Sequence, residues 1–178
     1  MSRESPEAAF EHARAAMARG DLPEVFSCLD VNDLKRIAEN AVALSIGSQI
    51  ERVDDEVRRI CSDCGFPLDE ILSAWRHVLK SPGIEATMAS RTAMKQGLAA
   101  VTNLPAFLAL LEGYSRRTSG GGSISMRLFQ QEQLIDVHVD GSRAWGTRVF
   151  GPGSSDDVEF VRRKGEWFIK LIARPKWC

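Results

Sequence analysis

Two cysteines three residues apart, in the segment Cys61-Ser62-Asp63-Cys64-Gly65, have a spacing that could support chemistry. Such a pair can bind a metal ion or cycle between a dithiol and a disulfide. The apolar residues before the pair recur every three or four positions: Ile50, Val53, Val57 and Ile60. This period predicts one helix with both cysteines on its apolar stripe, where they would fill a core.

The place of the pair within that helix also argues against reactivity. Gly65 stands where a C-terminal cap belongs, so both thiols lie in the last turn, where the helix dipole disfavours a thiolate. Asp63 adds a further negative charge. A zinc site would need a second ligand pair, and the other cysteines and the histidines are scattered singly. We therefore predict no metal site and no cofactor, with a metal or redox role as the alternative.

Acid–base chemistry is conceivable around Asp140-Gly141, which we interpret as a two-residue hairpin turn. In that register His138 faces Arg143 and Asp136 faces Trp145, so the Asp, His and Arg side chains share one face of the sheet. The opposite face carries the apolar group Ile135, Val137, Val139 and Ala144. We expect the apolar face to be covered and the polar cluster to lie in solvent. A three-residue loop would instead bring His138 towards the interior, where Asp136 or His138 could transfer a proton.

A second hairpin, turning at Lys164-Gly165, supplies the candidate ligand-binding residues. Its register pairs Phe160 with Ile169 on one face and Glu159 with Lys170 on the other, the second pair being suited to water. The apolar face holds Val158, Phe160, Trp167, Ile169 and Leu171. Arg148 is in phase with Ala144 and Gly146 and could bind an anionic group at the rim, or it could be structural.

These residues must be positioned by helices and strands that follow one another along the chain. Residues 1–118 are mainly helical by period and capping, and residues 123–174 alternate as an antiparallel meander. Residues 84–89 could form a short strand within an otherwise helical segment. The predicted fold is a single α+β domain over residues 1–178. Its helical N-terminal two-thirds would pack on a curved C-terminal antiparallel sheet of four to five strands.

Composition excludes several classes of protein. The chain has 178 residues, 44% hydrophobic and 26% charged, with a formal net charge of −1. The longest basic run is Arg162-Arg163-Lys164, too small for an extensive nucleic-acid footprint. We find neither a signal peptide nor an apolar run that would span a bilayer, so we expect no membrane association and a cytoplasmic location.

The chain resembles the nuclear transport factor 2-like (cystatin-like cone) superfamily, mainly over its C-terminal meander. The resemblance rests on "ARGD" and "VFSCLD" near the N-terminus and on "VDGSRAWG" followed by "VEFVRRKGEWFIKLI". It implies a curved sheet wrapped around a helix, leaving a conical pocket. Residues 48–115 depart from that pattern, because they are largely helical where typical members have an early β-hairpin.

The resemblance implies several functions, because superfamily members include isomerases, cyclases and non-catalytic binding modules. The isomerase constellation is not matched, since Tyr114, the one tyrosine, lies at a helix end. We expect a non-catalytic module that binds a small apolar ligand or a protein partner, possible as a homodimer. The alternatives are an isomerase- or cyclase-like enzyme using Asp136 or His138, and a structural adaptor whose cone is filled by side chains.

Overall fold

The computed structural model describes residues 3–47, 49–119, 129, 131–151 and 153–171. Over these residues seven helices precede four strands, so the fold is α+β. The helices are α1 (Pro6–Ala18), α2 (Leu22–Ser27), α3 (Val31–Gly47), α4 (Asp55–Cys64), α5 (Leu68–Lys80), α6 (Ile84–Ala100) and α7 (Leu104–Ser119). The strands are β1 (Gln133–Asp140), β2 (Arg143–Val149), β3 (Ser155–Arg163) and β4 (Glu166–Lys170). The strand expected at residues 123–129 and the end of the meander at 172–174 lie outside the described residues, Phe129 excepted.

Local capping chemistry sets the helix ends that the sequence predicts. The Ser5 side chain accepts a hydrogen bond from the backbone N–H of Ala8, and Pro6 opens α1. The Asp54 carboxylate accepts the N–H of Glu56 at the start of α4. The same helix ends at Gly65, whose φ of 76° is the left-handed conformation that glycine adopts without strain.

Two helical predictions need correction. Helix α4 begins at Asp55, because the preceding residues 49–52 form turns rather than a first helical turn. The short strand considered at residues 84–89 is not formed, since α6 is helical from Ile84 to Ala100. Thr87 and Thr92 donate their hydroxyls to carbonyls four residues earlier, which reconciles these β-branched residues with the helix.

The four strands form one antiparallel sheet in the order β1-β2-β3-β4. The predicted register of the β3–β4 hairpin is confirmed, with Phe160 opposite Ile169 and Glu159 opposite Lys170. The predicted β1–β2 register is wrong: the loop lies one residue further along the chain, so the strand partners shift by two residues. Asp140 pairs with Arg143, so the loop is Gly141-Ser142, and His138 lies opposite Trp145. Gly141 has φ 58° at the first loop position, a conformation that would strain aspartate more than glycine.

A β-bulge in β1 produces a second departure from simple alternation. The register shifts between Ile135 and His138, and Asp136 takes a left-handed backbone with φ 52°. Beyond the bulge Ile135 pairs with Thr147, which places Ile135 on the opposite face from the one predicted. Its side chain is accordingly 42% exposed.

The chain divides into two compact units. The first comprises Met1–Leu34 with Ile124–Cys178 and contains the sheet. Helix α1 packs on α2, β1 and β4, and Phe10 meets Phe129 edge to face at a centroid distance of 5.5 Å. The outer edge of β4 is hydrogen-bonded too, because Asp30 N–H donates to the Ile169 carbonyl and Trp167 N–H to that of Arg3.

The second unit, Lys35–Ser123, is helical over its described residues. Helix α4 packs against α5 and α7, and α5 packs against α6. The Phe66 and Phe107 rings stack at 5.3 Å between centroids. One domain over residues 1–178 stays a prediction.

Among the described residues, no single helix combines the length and apolarity needed to cross a bilayer. Helices α6 and α7 meet that measure only as a pair, bent by 111° between them.

Candidate functional site

The apolar sheet face predicted to bind a ligand is packed as core. Its side chains are almost inaccessible: Val158 3%, Phe160 0%, Trp167 3% and Ile169 0% exposed. Leu171, just beyond β4, is half-buried. A side chain with no exposure borders no water-sized space, whether open to solvent or enclosed. The middle of this face therefore has no room for a ligand against Phe160 or Ile169.

Helix α1 is the element that occupies this space. It contacts both outer strands of the sheet, β1 and β4, and so lies across it. Its buried stripe contains Ala9, Phe10, Ala13 and Ala16, each 0% exposed. Three alanines let the helix backbone approach the sheet closely, and Phe10 fills the remaining width. The sequence predicts this apolar stripe, whereas its docking on the sheet is a long-range contact.

Arg148 lies on the same sheet face as Ala144 and Gly146, as predicted, but its guanidinium already has partners. Its Nε and Nη2 atoms donate to the two carboxylate oxygens of Asp156 at 2.8 and 2.6 Å. Nη1 lies 3.4 Å from a carboxylate oxygen of Glu132, which is only 4% exposed. One cation thus meets two carboxylates, which leaves little positive charge for an anionic ligand. The structural alternative for Arg148 is favoured.

Burial and ion pairing act in opposite directions on this cluster. Burial raises the pKa of the Glu132 carboxyl, and the nearby Arg148 charge only partly offsets it. The hydrogen bonds to Asp156 raise the pKa of Arg148. Arg148 therefore remains a cation that neutralises a buried acid.

The two candidate proton-transfer groups, Asp136 and His138, are both exposed. Asp136 occupies the bulge, and His138 lies opposite Trp145 on the solvent side of the sheet. A general acid or base acts on a substrate held in a shielded site, and no such enclosure surrounds these two side chains in the described structure.

The face of the sheet opposite Phe160 carries an ion-pair network around Glu159. The sequence predicts this network only in part. Glu159 accepts hydrogen bonds from Lys170, at 3.0 Å, and from Arg143. It is not the solvated residue that the register suggests, because only 4% of it is exposed. Burial raises the pKa of Glu159, but the hydrogen bonds from Arg143 and Lys170 outweigh burial and lower it overall. The Arg143 guanidinium carbon also lies 5.3 Å from the centroid of the Trp145 ring, a cation–π contact. The contacts of this network hold its side chains in place.

The cysteine pair has the environment of packing residues. Cys61 is 1% exposed, and burial raises its thiol pKa to about 12. Burial and then the Asp63 charge raise the pKa of the half-buried Cys64. Thiols with raised pKa values are poor nucleophiles and poor metal ligands at neutral pH. Within the described part of the chain, no group of three or more His, Cys, Asp or Glu side chains could hold a metal ion.

The helical unit carries exposed residues to which the sequence analysis assigns no role. Four of them lie on α6: Ile84, Met88, Arg91 and Lys95. A groove of about 320 Å³ is lined by Arg91, Met94 and Lys95 together with Glu39 of α3. The spacing of four, three and four residues could have indicated one helix face, but the helix is too weakly amphipathic for the sequence to distinguish an exposed face from a buried one.

Comparison with known proteins adds no family or fold neighbour. No family model matches this chain, and no curated protein or solved structure is similar to it.

Proposed function

We propose that this protein is a non-catalytic module that binds a protein partner, corresponding to the filled-cone adaptor. One observation carries the proposal: the sheet face that a small-molecule pocket would need is occupied by α1, with Phe160 and Ile169 inaccessible to solvent. Because pockets for small ligands are largely preformed and apolar, a filled face favours contact through the outer surface instead.

The enzyme alternative has less support. Proton transfer by Asp136 or His138 would require a bound substrate beside an exposed bulge or an exposed strand position. The other acidic groups of the sheet that are buried, Glu132 and Glu159, are committed to ion pairs with arginine or lysine. A buried, unpaired acid or base would have favoured catalysis.

Two finer expectations belong to the same proposal. The nuclear transport factor 2-like resemblance is retained for the C-terminal meander, supported by the antiparallel order of β1 to β4 and the β3–β4 register. A cytoplasmic location is retained because Cys28, Cys61 and Cys64 are free thiols, as in a reducing compartment.

The proposal can be tested by native mass spectrometry of gently purified protein, combined with titration of a lipophilic fluorescent probe. We expect the mass of the polypeptide without a retained small molecule. We also expect no saturable probe signal that depends on Trp167, with Trp167→Phe as the matched control. A retained apolar molecule, or probe binding lost in Phe160→Ala but kept in a surface variant such as Leu110→Ser, would overturn the proposal in favour of ligand binding.

A second arm tests the partner directly. A tagged chain expressed at natural abundance should copurify with a polypeptide in fixed stoichiometry, and the complex should re-form from the two purified components. Failure to re-form any complex, together with turnover of a small molecule that is abolished in His138→Ala, would favour the enzyme.

A further inference from the structure

Helix α6 presents a mixed apolar and basic surface. Ile84, Met88, Arg91 and Lys95 are spaced so that they line one side of the helix over about 16 Å. We call these four residues the α6 stripe. Ile84 is 80% exposed and Met88 is 64% exposed, and both are large apolar side chains. Two large apolar side chains one helical turn apart form an exposed apolar patch, and such patches occur at protein–protein contacts.

The stripe points away from α5, which packs on α6. Helix α5 packs on the opposite side, where a Cβ added to Gly97 would lie 3.2 Å from both Ile71 and Phe66. Gly97 follows Lys95 by two residues, which is about 160° around a helix. The stripe therefore takes no part in the packing of α5 on α6.

A groove beside the stripe provides a recess for an anchoring side chain. Met94, only 7% exposed, contributes an apolar surface to it, and its volume of about 320 Å³ accommodates a leucine or phenylalanine side chain. Arg91 and Lys95 border the same groove, and Glu39 lines it from α3. Neither cation has an ion pair with any residue that the structure describes, so a net positive charge is available at the groove.

We propose that the α6 stripe and its groove bind an acidic amphipathic helix of a partner protein. This inference rests on the proposed function and specifies its partner. An apolar side chain of that helix enters the groove over Met94, and the next apolar side chain along covers Met88 and Ile84. Carboxylates flanking the apolar residues pair with Arg91 and Lys95. The surface thus matches the helix-in-groove mode of recognition, with charge fixing the orientation.

Charge argues against two other occupants. A second copy of the chain joined stripe to stripe would set cations against cations if parallel. In an antiparallel arrangement, Arg91 and Lys95 of one copy would lie against Ile84 and Met88 of the other. Arg91 and Lys95 are therefore neutralised in neither arrangement. An anionic membrane would gain only about 1 kcal/mol from each basic residue, and stable anchoring needs a larger apolar insertion than two side chains.

The test uses a synthetic helical peptide with leucines on one face flanked by glutamates, labelled with fluorescein and followed by fluorescence anisotropy. We expect saturable binding that weakens as salt is raised. The double change Arg91→Glu with Lys95→Glu should weaken binding at least about tenfold, the equivalent of about 1.4 kcal/mol. Arg59→Glu is the control, because Arg59 is also exposed and without an ion pair in the described structure. The affinity of this variant for the peptide should stay within about twofold of the wild-type value.

Three outcomes would overturn the inference. These are equal losses in Arg59→Glu and in the stripe variants, binding of wild-type protein to phosphatidylserine vesicles but not to the peptide, or concentration-dependent dimerisation abolished by Ile84→Ser. Failure here is distinguishable from failure of the proposed function. If the copurifying partner is retained by the Arg91→Glu, Lys95→Glu variant, the protein still binds a partner, but through another surface.

Discussion

At the scale of single residues, neighbours decide the state of a buried acid. Glu132 and Glu159 are equally buried, at 4% exposure, yet their pKa values shift in opposite directions. Burial dominates at Glu132, whereas two cationic hydrogen-bond donors, Arg143 and Lys170, overcome it at Glu159. The sequence does not indicate which of these acids lose their water.

Replacing Arg148 by methionine should expose this dependence. The change leaves Glu132 buried without its cation, so we expect the free energy of unfolding at pH 7 to fall by about 3 kcal/mol. Burial raises the pKa of Glu132 and Arg148 lowers it, so removing Arg148 raises this pKa further; protonation then removes the unpaired charge, and the loss should shrink as the pH is lowered towards 4. Urea denaturation across that range measures it.

The matched control for that experiment is Arg148→Met combined with Glu132→Gln. Removing both charges should restore most of the lost stability at pH 7. An equal loss in the single and double variants would contradict the assigned role of Glu132.

Cys61 supports a second prediction at this scale, on the alkaline side. Burial raises its thiol pKa from 9.0 to about 12, so the folded state keeps a proton that the unfolded state releases. The stabilisation is complete below pH 9 and is lost as the pH rises towards 12. Relative to Cys61→Ala, the wild-type protein should lose up to about 1.4 kcal/mol per pH unit above pH 9. At pH 7 the variant itself should be about 1–2 kcal/mol less stable.

Guanidinium denaturation at a series of pH values compares the two proteins, and thiol labelling under native conditions provides the check. Rapid labelling of Cys61 in folded protein would show that the thiol is accessible and the interpretation wrong.

At the scale of elements, the bulge in β1 sets which side chains reach each face. Asp136 holds a left-handed backbone there, which aspartate tolerates and β-branched residues do not. We expect Asp136→Val to lower the free energy of unfolding by about 1–2 kcal/mol and Asp136→Gly to leave it unchanged or slightly higher. Thermal or urea denaturation measures both. His138→Val, exposed on the same strand, serves as the control and should lose no stability; equal losses at both positions would argue against backbone strain.

At the scale of the whole molecule, the helical unit has a core of its own. Its most buried apolar side chains include Val42, Ile46, Val57, Leu72, Phe107, Leu108 and Leu111. A fragment from Val31 to Ser119, which keeps α3 intact, should therefore fold by itself, with helical circular dichroism and a cooperative urea transition. A fragment without a cooperative transition would instead support one domain over residues 1–178.

Features that depend on short-range chemistry can be predicted from the sequence. Ser5 and Gly65 mark helix ends through capping and left-handed backbone, and Lys164-Gly165 sets the β3–β4 register through its turn. The apolar period likewise places Cys61 in a core. Each of these follows from residues within a few positions of one another, where local energies suffice.

Which faces are covered depends on packing between distant parts of the chain. The apolar face around Phe160 could be predicted, but the docking of α1 that fills it could not, because contacts between residues far apart in sequence leave no local signal. The same reason explains the burial of Glu159 and the exposure of Ile84 and Met88. The β1–β2 register also required the structure, since the loop is Gly141-Ser142, and the bulge at Asp136 then breaks the two-residue period on which strand prediction depends.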